Sequence, residues 1–205
     1  TNFVLGDSIV EFNEDFDIIL REVGNQPPIG GNGRAKVTIL YEDPPAGSVD
    51  REWNPDEVST TTPRFNPTPG ANNIVRAIAV QADQKTVIVG DFTGYNSVPR
   101  NRIARINVDG SHDATFNPGS GADDSVDAVA INPLDGKIVI GGGFTSVNNI
   151  QRGGVARLND NGTLDNSFNP GSGANGGVRA VAIQSDGRIL IAGDFTQFGG
   201  VARRG

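Results

Sequence analysis

The residues able to do chemistry are few. The chain repeats itself, and most of the candidates recur from copy to copy. The single histidine, His112, is the type best suited to proton transfer near neutral pH. Its position is filled by Val49 and Leu164 in the other copies, so it is expected to be an exposed turn residue. Asp91 and Asp194 recur in Gly-Asp-Phe-Thr, but the middle copy has Gly143 there. A catalytic pair would not rest on a position that one copy abandons. Asp113 and Asp165 recur with Asp50, and such aspartates hold backbone amides at turns. Arg105 and Arg157 recur in Ala-Arg-[Ile/Leu]-Asn and are expected to pair with repeat acids or to stack on aromatics. Gly119-Ser120-Gly121 and Gly171-Ser172-Gly173 resemble phosphate-cradling loops, yet no helix pattern follows and no Gly-Lys-Ser/Thr is present, so they read as loops. Catalysis needs one asymmetric site, whereas these groups recur, and packing is the expected use of each. The chain is therefore not expected to be an enzyme.

The elements that position these residues are written three times. One copy runs Phe116-Asn117-Pro118-Gly119, Val126 to Ile131, Asp135-Gly136, Lys137 to Thr145 and Val155 to Asn159. An earlier copy starts at Phe65-Asn66-Pro67 and a later one at Phe168-Asn169-Pro170. The Phe-Asn-Pro landmarks are 51 and 52 residues apart, and Phe92, Phe144 and Phe195 are 52 and 51 apart. Two landmarks on one period mark a repeat architecture. Val75–Val80, Val126–Ile131 and Val178–Ile183 alternate large aliphatics with Arg, Asp or Ala, and Thr86-Val87-Ile88-Val89 is a short apolar run; both are strand patterns. Asp83-Gln84, Asp135-Gly136 and Asp186-Gly187 suit tight turns between first and second strands, and Asp109-Gly110 and Asn161-Gly162 between third and fourth. A short fourth strand is expected to end at each Phe-Asn-Pro, where proline removes a ladder donor. Three to four antiparallel strands in about 51–52 residues make a propeller blade, with a β-solenoid coil as the other reading. Phe65, Phe116 and Phe168, and Phe92, Phe144 and Phe195, are expected to be buried in equivalent places.

The order F-N-P-G, V-x-A-V-A-I-Q, D-G-[KR]-I-L-I-[AG]-G-x-F-T, A-R-[LI]-N, D-G-[ST]-x-D-x-x-F resembles the delta-60 repeat, a β-propeller-type repeat of bacterial secreted and surface proteins. The resemblance covers roughly Asp50 to Gly205. Gln84 replaces the turn glycine in the first copy and Thr68-Pro69 interrupts its glycine-rich stretch, which suggests a slightly irregular first blade.

Residues 1–45 are written differently. Phe16, Ile18 and Leu20 alternate with Asp17 and Ile19, and after a Gly/Pro/Asn loop Ala35 to Tyr41 alternates again; these are two strands. The E-x-N-E-D-F-x-I-x-L strand and the V-T-I-x-x-E-D strand resemble the C-terminal part of a Calx-beta domain, an immunoglobulin-like sandwich. About 43 residues, half of such a domain, are covered, and two or three strands do not bury a sandwich core alone. The resemblance implies calcium, with Asp7, Glu11, Glu14 and Asp15 near one loop and Glu42 and Asp43 at the domain end as candidate ligands. Ca²⁺ takes six to eight hard oxygens, and clustered carboxylates at strand ends are able to converge on it. Solvated loop acids are the plainer reading of the same six. Pro44-Pro45-Ala46-Gly47 is a natural linker, and Ser48 to Pro55 aligns with Ser111 to Pro118, so a closing strand with Trp53 in the phenylalanine role precedes the first full unit.

The domains expected are thus 1–45, the sandwich part; 46–64, linker and closing strand; and 65–205, propeller-type repeats divided 65–115, 116–167 and 168–205, the last incomplete. Charge supports the division. Residues 1–62 hold 12 acidic and 4 basic side chains, net −8, against 12 and 13 in the remainder, net +1, which gives the total of −7. With no basic stripe, nucleic acid is not an expected partner. The absence of Cys removes disulfides, thiolate metal sites and a thiol nucleophile. No long apolar span is present. With no Met in 205 residues, the chain reads as a fragment or a processed product.

The fold class expected is all-β: a partial immunoglobulin-like, Calx-beta-like sandwich followed by propeller-type antiparallel repeats. The function expected is that of a non-catalytic, secreted or cell-surface structural or adhesion module of a larger bacterial repeat protein. Its partners would be flanking domains of the same polypeptide or identical subunits, the latter giving an extracellular filament. A glycan- or ligand-binding propeller module of a secreted multidomain protein is the alternative. Sugars stack on exposed aromatics, and apart from the repeat phenylalanines only Trp53, Tyr41 and Tyr95 are available, which weakens that alternative.

Overall fold

The computed structural model describes the backbone of residues 14–19 and 34–39, and residues 70–203 in full. The chain divides into two compact units, Thr1–Asp50 and Arg51–Gly205. All regular structure among the described residues is β.

In the first unit, β1 (Glu14–Ile19) pairs antiparallel with β2 (Arg34–Ile39). The register sets Phe16 opposite Val37, Asp17 opposite Lys36 and Ile18 opposite Ala35. The linker and closing strand expected at 46–64, with Trp53, and also Phe65, lie outside the described residues.

The second unit repeats one arrangement. In the first copy β3 (Val75–Val80), β4 (Thr86–Gly90) and β7 (Ile103–Ile106) form an antiparallel sheet in the order β3-β4-β7. A two-stranded hairpin, β5 (Gly94–Tyr95) and β6 (Val98–Pro99), projects between β4 and β7. The second copy has β8 (Val126–Ile131), β9 (Ile138–Gly142) and β12 (Val155–Leu158), with the hairpin β10 (Ser146–Val147) and β11 (Ile150–Gln151). The third has β13 (Val178–Ile183) and β14 (Ile189–Gly193), with β15 (Gln197–Phe198) and β16 (Val201–Ala202). Gln84, Gly136 and Gly187 take φ of 66, 70 and 83° at the first turn of each copy. Gln84 thus adopts the left-handed conformation that its two counterparts reach as glycine, at the steric cost a side chain brings. The hairpins turn on Asn96-Ser97, Asn148-Asn149 and Gly199-Gly200, every one of them at positive φ, as a tight turn matched to strand twist requires.

The fourth strand is shorter than expected. It is reduced to one bridge in each full copy, Ile106 with His112 and Leu158 with Leu164. The segment leaves the ladder because Asp113 and Asp165 fold the next residues into a side-chain-capped turn: Thr115 N donates to Asp113 Oδ1 at 2.9 Å and Ser167 N to Asp165 Oδ1 at 2.9 Å.

The core lies between sheets. Val87, Val89 and Ile103 of the first sheet pack with Val126, Ile138, Ile140 and Leu158 of the second, and with Phe116, Phe144 and Val147, in one buried cluster, whereas Ile88, Phe92, Tyr95, Ala104 and Ile106 belong to a second cluster. Period-two alternation thus sends successive side chains of each strand to opposite neighbours. The first strands β3, β8 and β13 pack side by side. Phe92, Phe144 and Phe195 are buried in equivalent places, as expected, and so is Phe116. Phe168 is only half-buried. Gly162 of the following unit's turn covers the Phe116 ring, and among the described residues no turn stands over Phe168.

Candidate functional site

The most elaborate polar site is built twice. β7 presents Arg105, the first turn ends at Lys85, and the capped turn supplies Asp113. Lys85 Nζ and Arg105 Nε both donate to Asp113 Oδ2, at 2.9 and 2.7 Å, and the Arg105 guanidinium lies 4.9 Å from the centroid of the Phe116 ring. In the second copy Lys137 and Arg157 donate to Asp165 Oδ2 at 2.7 and 2.8 Å, and Arg157 lies 5.0 Å from the Phe168 centroid. Burial alone would raise the pKa of Asp113. Hydrogen bonds from the Thr115 hydroxyl, Lys85, the Thr115 amide and Arg105 overcome it and hold the carboxyl far below the usual carboxylate range. The same balance, with Lys137, Ser167 and Arg157, governs Asp165. Asp113 and Asp165 are thus held as carboxylates by bonds from residues of their own repeat. The expectation of acid pairing and aromatic stacking for Arg105 and Arg157 is met by both contacts in each copy.

The first copy's site reaches across to the next sheet. Arg105 Nη1 donates to the Asp160 carbonyl at 2.7 Å and to Gln81 Oε1 at 3.1 Å, Gln81 Nε2 donates to Asp160 Oδ1 at 2.6 Å, and Asn117 N donates to the Asn161 carbonyl at 2.8 Å. The Asp160–Gly162 turn is thereby clasped by Arg105 of the unit before it and packs on the Phe116 ring.

A second constellation was not anticipated from the residues. β3, β8 and β13 each carry a register shift at the same place, between Val75 and Ala77, Val126 and Ala128, and Val178 and Ala180. The extra residue of each bulge is Arg76, Asp127 or Arg179. A bulge re-aims its extra side chain out of the ladder, and here it aims three charges into one row. Arg76 binds Asp91 through Nη2 at 2.6 Å and lies 3.4 Å from Asp127 Oδ1; Arg179 Nη1 binds Asp127 Oδ2 at 2.8 Å, and its Nε binds Asp194 Oδ2 at 2.8 Å. The row Asp91–Arg76–Asp127–Arg179–Asp194 alternates in sign across three units. The hydrogen bond from Arg76 lowers the pKa of Asp91, and the bond to Asp91 raises that of Arg76. This explains why the middle copy has Gly143: with Asp127 in place of an arginine, an aspartate at 143 would repel it. Gly90, Gly142 and Gly193 complete the bulge, because a Cβ there would collide with the carbonyls of Ile74, Ser125 and Gly177.

A collar at the hairpin base also recurs. Asn72, Asp123 and Asn175 each accept from two successive amides, those of Thr93 and Gly94, Thr145 and Ser146, and Thr196 and Gln197. Burial would raise the pKa of Asp123, but the Thr145 hydroxyl and the two amides bring it down to about 2.

The remaining expectations fall as follows. His112 is not an exposed turn residue. It is buried at 4% exposure, at the bridging position that Leu164 fills in the next copy. The bridge turns this position inward whatever side chain occupies it. Asp113 and Asp165 hold the turn amides as expected. The Gly-Ser-Gly loops serve packing: Asn101 Nδ2 donates to the Ser120 carbonyl at 2.9 Å, and Gly173 abuts Gly153. Of the calcium candidates, Asp7, Glu11, Glu42 and Asp43 lie outside the described residues, while Glu14 and Asp15 fall in β1 opposite Ile39 and Thr38. Among the described residues no three His, Asp or Glu side chains stand together as a metal site, and no helix is long and apolar enough to cross a membrane. A depression lined by Gly70, Ala71, Asn72, Thr93, Gly94 and Pro99 is present on the first copy. The corresponding place on the second copy is filled by the preceding unit, where Arg102 Nη1 donates to the Ala122 carbonyl at 2.8 Å. The depression is therefore shaped as a packing surface.

A family model described as a domain of unknown function (DUF5122) beta-propeller matches residues 81–116, 134–168 and 184–205, one segment in each copy. Comparison with curated proteins gives no match. The matched segments and the antiparallel sheets agree on propeller-type repeats.

Proposed function

We propose that this propeller-type repeat chain is a non-catalytic structural or adhesion module of a larger secreted or cell-surface bacterial protein, of the delta-60 kind, joined to the end of a Calx-beta-like sandwich. One observation carries the reading. The polar groups best placed for chemistry occupy the same network in successive copies, Lys85–Asp113–Arg105 and Lys137–Asp165–Arg157, and are consumed in bonds that brace each unit, with Arg105 also reaching the Asp160 turn of the next. A scaffold uses its recurring charges in this way; an active site concentrates them once. Flanking domains of the same polypeptide, or identical subunits joined into a fibre, are the partners that fit a chain built of serially clasped units. The β1–β2 hairpin supports the sandwich part of the proposal. Calcium would be held there by Asp7, Glu11, Glu14, Asp15, Glu42 and Asp43, where it would tie acidic segments together.

An antibody to residues 70–203, applied to intact and to permeabilised cells of the organism that makes the protein, tests the reading. Labelling of intact cells is expected; labelling only after permeabilisation refutes it. A glycan array run with the same chain should show no saturable class, and a single strong class would favour the ligand-binding alternative. Calorimetry with Ca²⁺ on the chain is expected to show saturable heat that Glu14→Gln with Asp15→Asn reduces.

A further inference from the structure

The described residues contain the pairs Asp109-Gly110, Asp135-Gly136, Asn161-Gly162, Asn175-Gly176 and Asp186-Gly187. In such a pair the glycine nitrogen is able to close a succinimide ring on the carbonyl carbon of the preceding side chain, and no Cβ hinders the approach. In all but one of the pairs the glycine amide is already engaged. Gly110 N donates to the Asn107 carbonyl, Gly136 N to Asn132, Gly162 N to Asn159 and Gly187 N to Gln184, each at 2.9 Å. These bonds close the tight turns of the repeat and hold the amide proton.

Gly176 differs. Its amide donates to no group among the described residues. It closes no turn and leads from the collar at the hairpin base into the bulge of β13. Glycine is required there, because a Cβ would come within 2.9 Å of the Asp194 carbonyl oxygen. Asn175 is exposed and Gly176 half-buried, whereas Gly162 is buried. The openness belongs to the position: in the second copy, which has described neighbours on both sides, Asp123 and Asp124 are exposed as well. The Asn175 side chain is also polarised for attack. Its Oδ1 accepts from Thr196 N at 2.8 Å and from Gln197 N at 2.9 Å, so two amides stand where negative charge would develop on that oxygen.

We infer that Asn175 is a modification site, whose side-chain amide converts spontaneously to a carboxylate. The deprotonated Gly176 nitrogen bonds to Asn175 Cγ. The Cγ–Nδ2 bond breaks, and the nitrogen takes a proton from water and leaves as ammonia. Water then opens the succinimide at Cγ to give aspartate, and no oxidant or reductant takes part. The second copy shows that aspartate fits. Asp123 stands in the same collar, accepts the amides of Thr145 and Ser146, and receives the Thr145 hydroxyl at 2.6 Å. In the third copy Asn175 Nδ2 donates to Thr196 Oγ1 at 3.0 Å. After conversion that hydroxyl has only to turn round and donate. The third copy then acquires the acid that the second copy already carries. The inference is independent of where the protein works.

The test is incubation of the intact chain in mildly alkaline buffer, then trypsin digestion and mass spectrometry with fragmentation. Asn161 and Asn175 fall in one tryptic peptide, residues 158–179, so each is the other's control. In the folded chain the mass gain of amide-to-acid conversion is expected roughly ten-fold faster at Asn175 than at Asn161, because Gly162 must first give up a backbone hydrogen bond. In guanidinium the two sites, both Asn-Gly, should convert at the same rate. Asn175→Asp should melt no lower than the unaltered chain. Equal rates at the two sites in the folded chain, no conversion at Asn175, the same preference after unfolding, or a lower melting temperature for Asn175→Asp overturns the inference.

Discussion

Replacing Arg105 with alanine should cost far more than replacing Arg157, although the two occupy the same place in the repeat. Arg105 is 6% exposed. Its removal takes one of two cations from the buried Asp113, leaves the Asp160 carbonyl and Gln81 Oε1 without their donor, and opens space over the buried Phe116 ring. Breaking a buried charge pair of this kind costs about 3–5 kcal/mol. Arg157 is 23% exposed, so its ion pair is screened. Asp165 keeps Lys137 and Ser167, and among the described residues no second unit is clasped. The loss there is about 1–2 kcal/mol, from one charge-assisted bond and a part-solvated cation–π contact. For a unit of this size the melting temperature should fall by about 10 °C in the first variant and about 4 °C in the second. Guanidinium unfolding followed by far-UV circular dichroism reads both midpoints, and an unchanged slope shows that the same surface is exposed. Equal costs, or a larger cost for Arg157→Ala, would show that the contact between units contributes nothing and that the site is local.

Phe116→Ala should cost about 3–5 kcal/mol, as large-to-small changes of fully buried aromatics do, and Phe168→Ala less than half of that, measured on the same unfolding curves. Asp127→Lys would set three cations in a row. It should lower the melting temperature at low salt, and 1 M NaCl should restore part of the loss because the flanking Arg76 and Arg179 reach solvent. Acid should destabilise the repeats in a defined window. Asp123 is held at about 2 in the folded chain, below its value of about 3.9 unfolded. Its contribution is therefore complete above that unfolded value and is lost as pH falls toward 2, with Asp113 and Asp165 extending the loss to lower pH. Asp123→Asn, which keeps the amide acceptor as Asn72 and Asn175 do, should flatten that part of the pH–stability profile.

The strands, their turns and the buried phenylalanines were legible because each follows from local pattern: alternation, Asp-Gly pairs and a 51–52-residue period. The projecting hairpin was legible in principle. Asn96-Ser97, Asn148-Asn149 and Gly199-Gly200 are left-handed turn residues at one position of each copy, but two-residue strands leave no alternation to read. At His112 the signal for burial is Leu164, which fills the same bridging position in the next copy, and not the neighbouring Asp-Gly turn. The row of bulge charges was hidden for a different reason. Arg76, Asp127 and Arg179 look like tolerance at a variable position until the sheets stand side by side. The clasp of Asp160 by Arg105 joins residues 55 apart, a contact that only the stacking of whole units creates. The candidate calcium ligands belong to residues whose side chains the structure does not describe.

The bulges carry a consequence for how such a chain can change by duplication and loss of its copies. Tandem segments written to one pattern invite recombination, and each full copy builds the same sheet. The bulge residue is outside the ladder, so it is free to differ without weakening its own sheet. Excision of the middle copy would bring Arg76 next to Arg179 with no carboxylate between them, and doubling it would set two Asp127 residues face to face. The penalty is small where the exposed Arg76 and Arg179 meet and larger where two Asp127 carboxylates, 8% exposed, face each other, and it falls at every junction that is out of sequence. Positions 76, 127 and 179 thus number the copies, and the order of the units is inherited along with their fold.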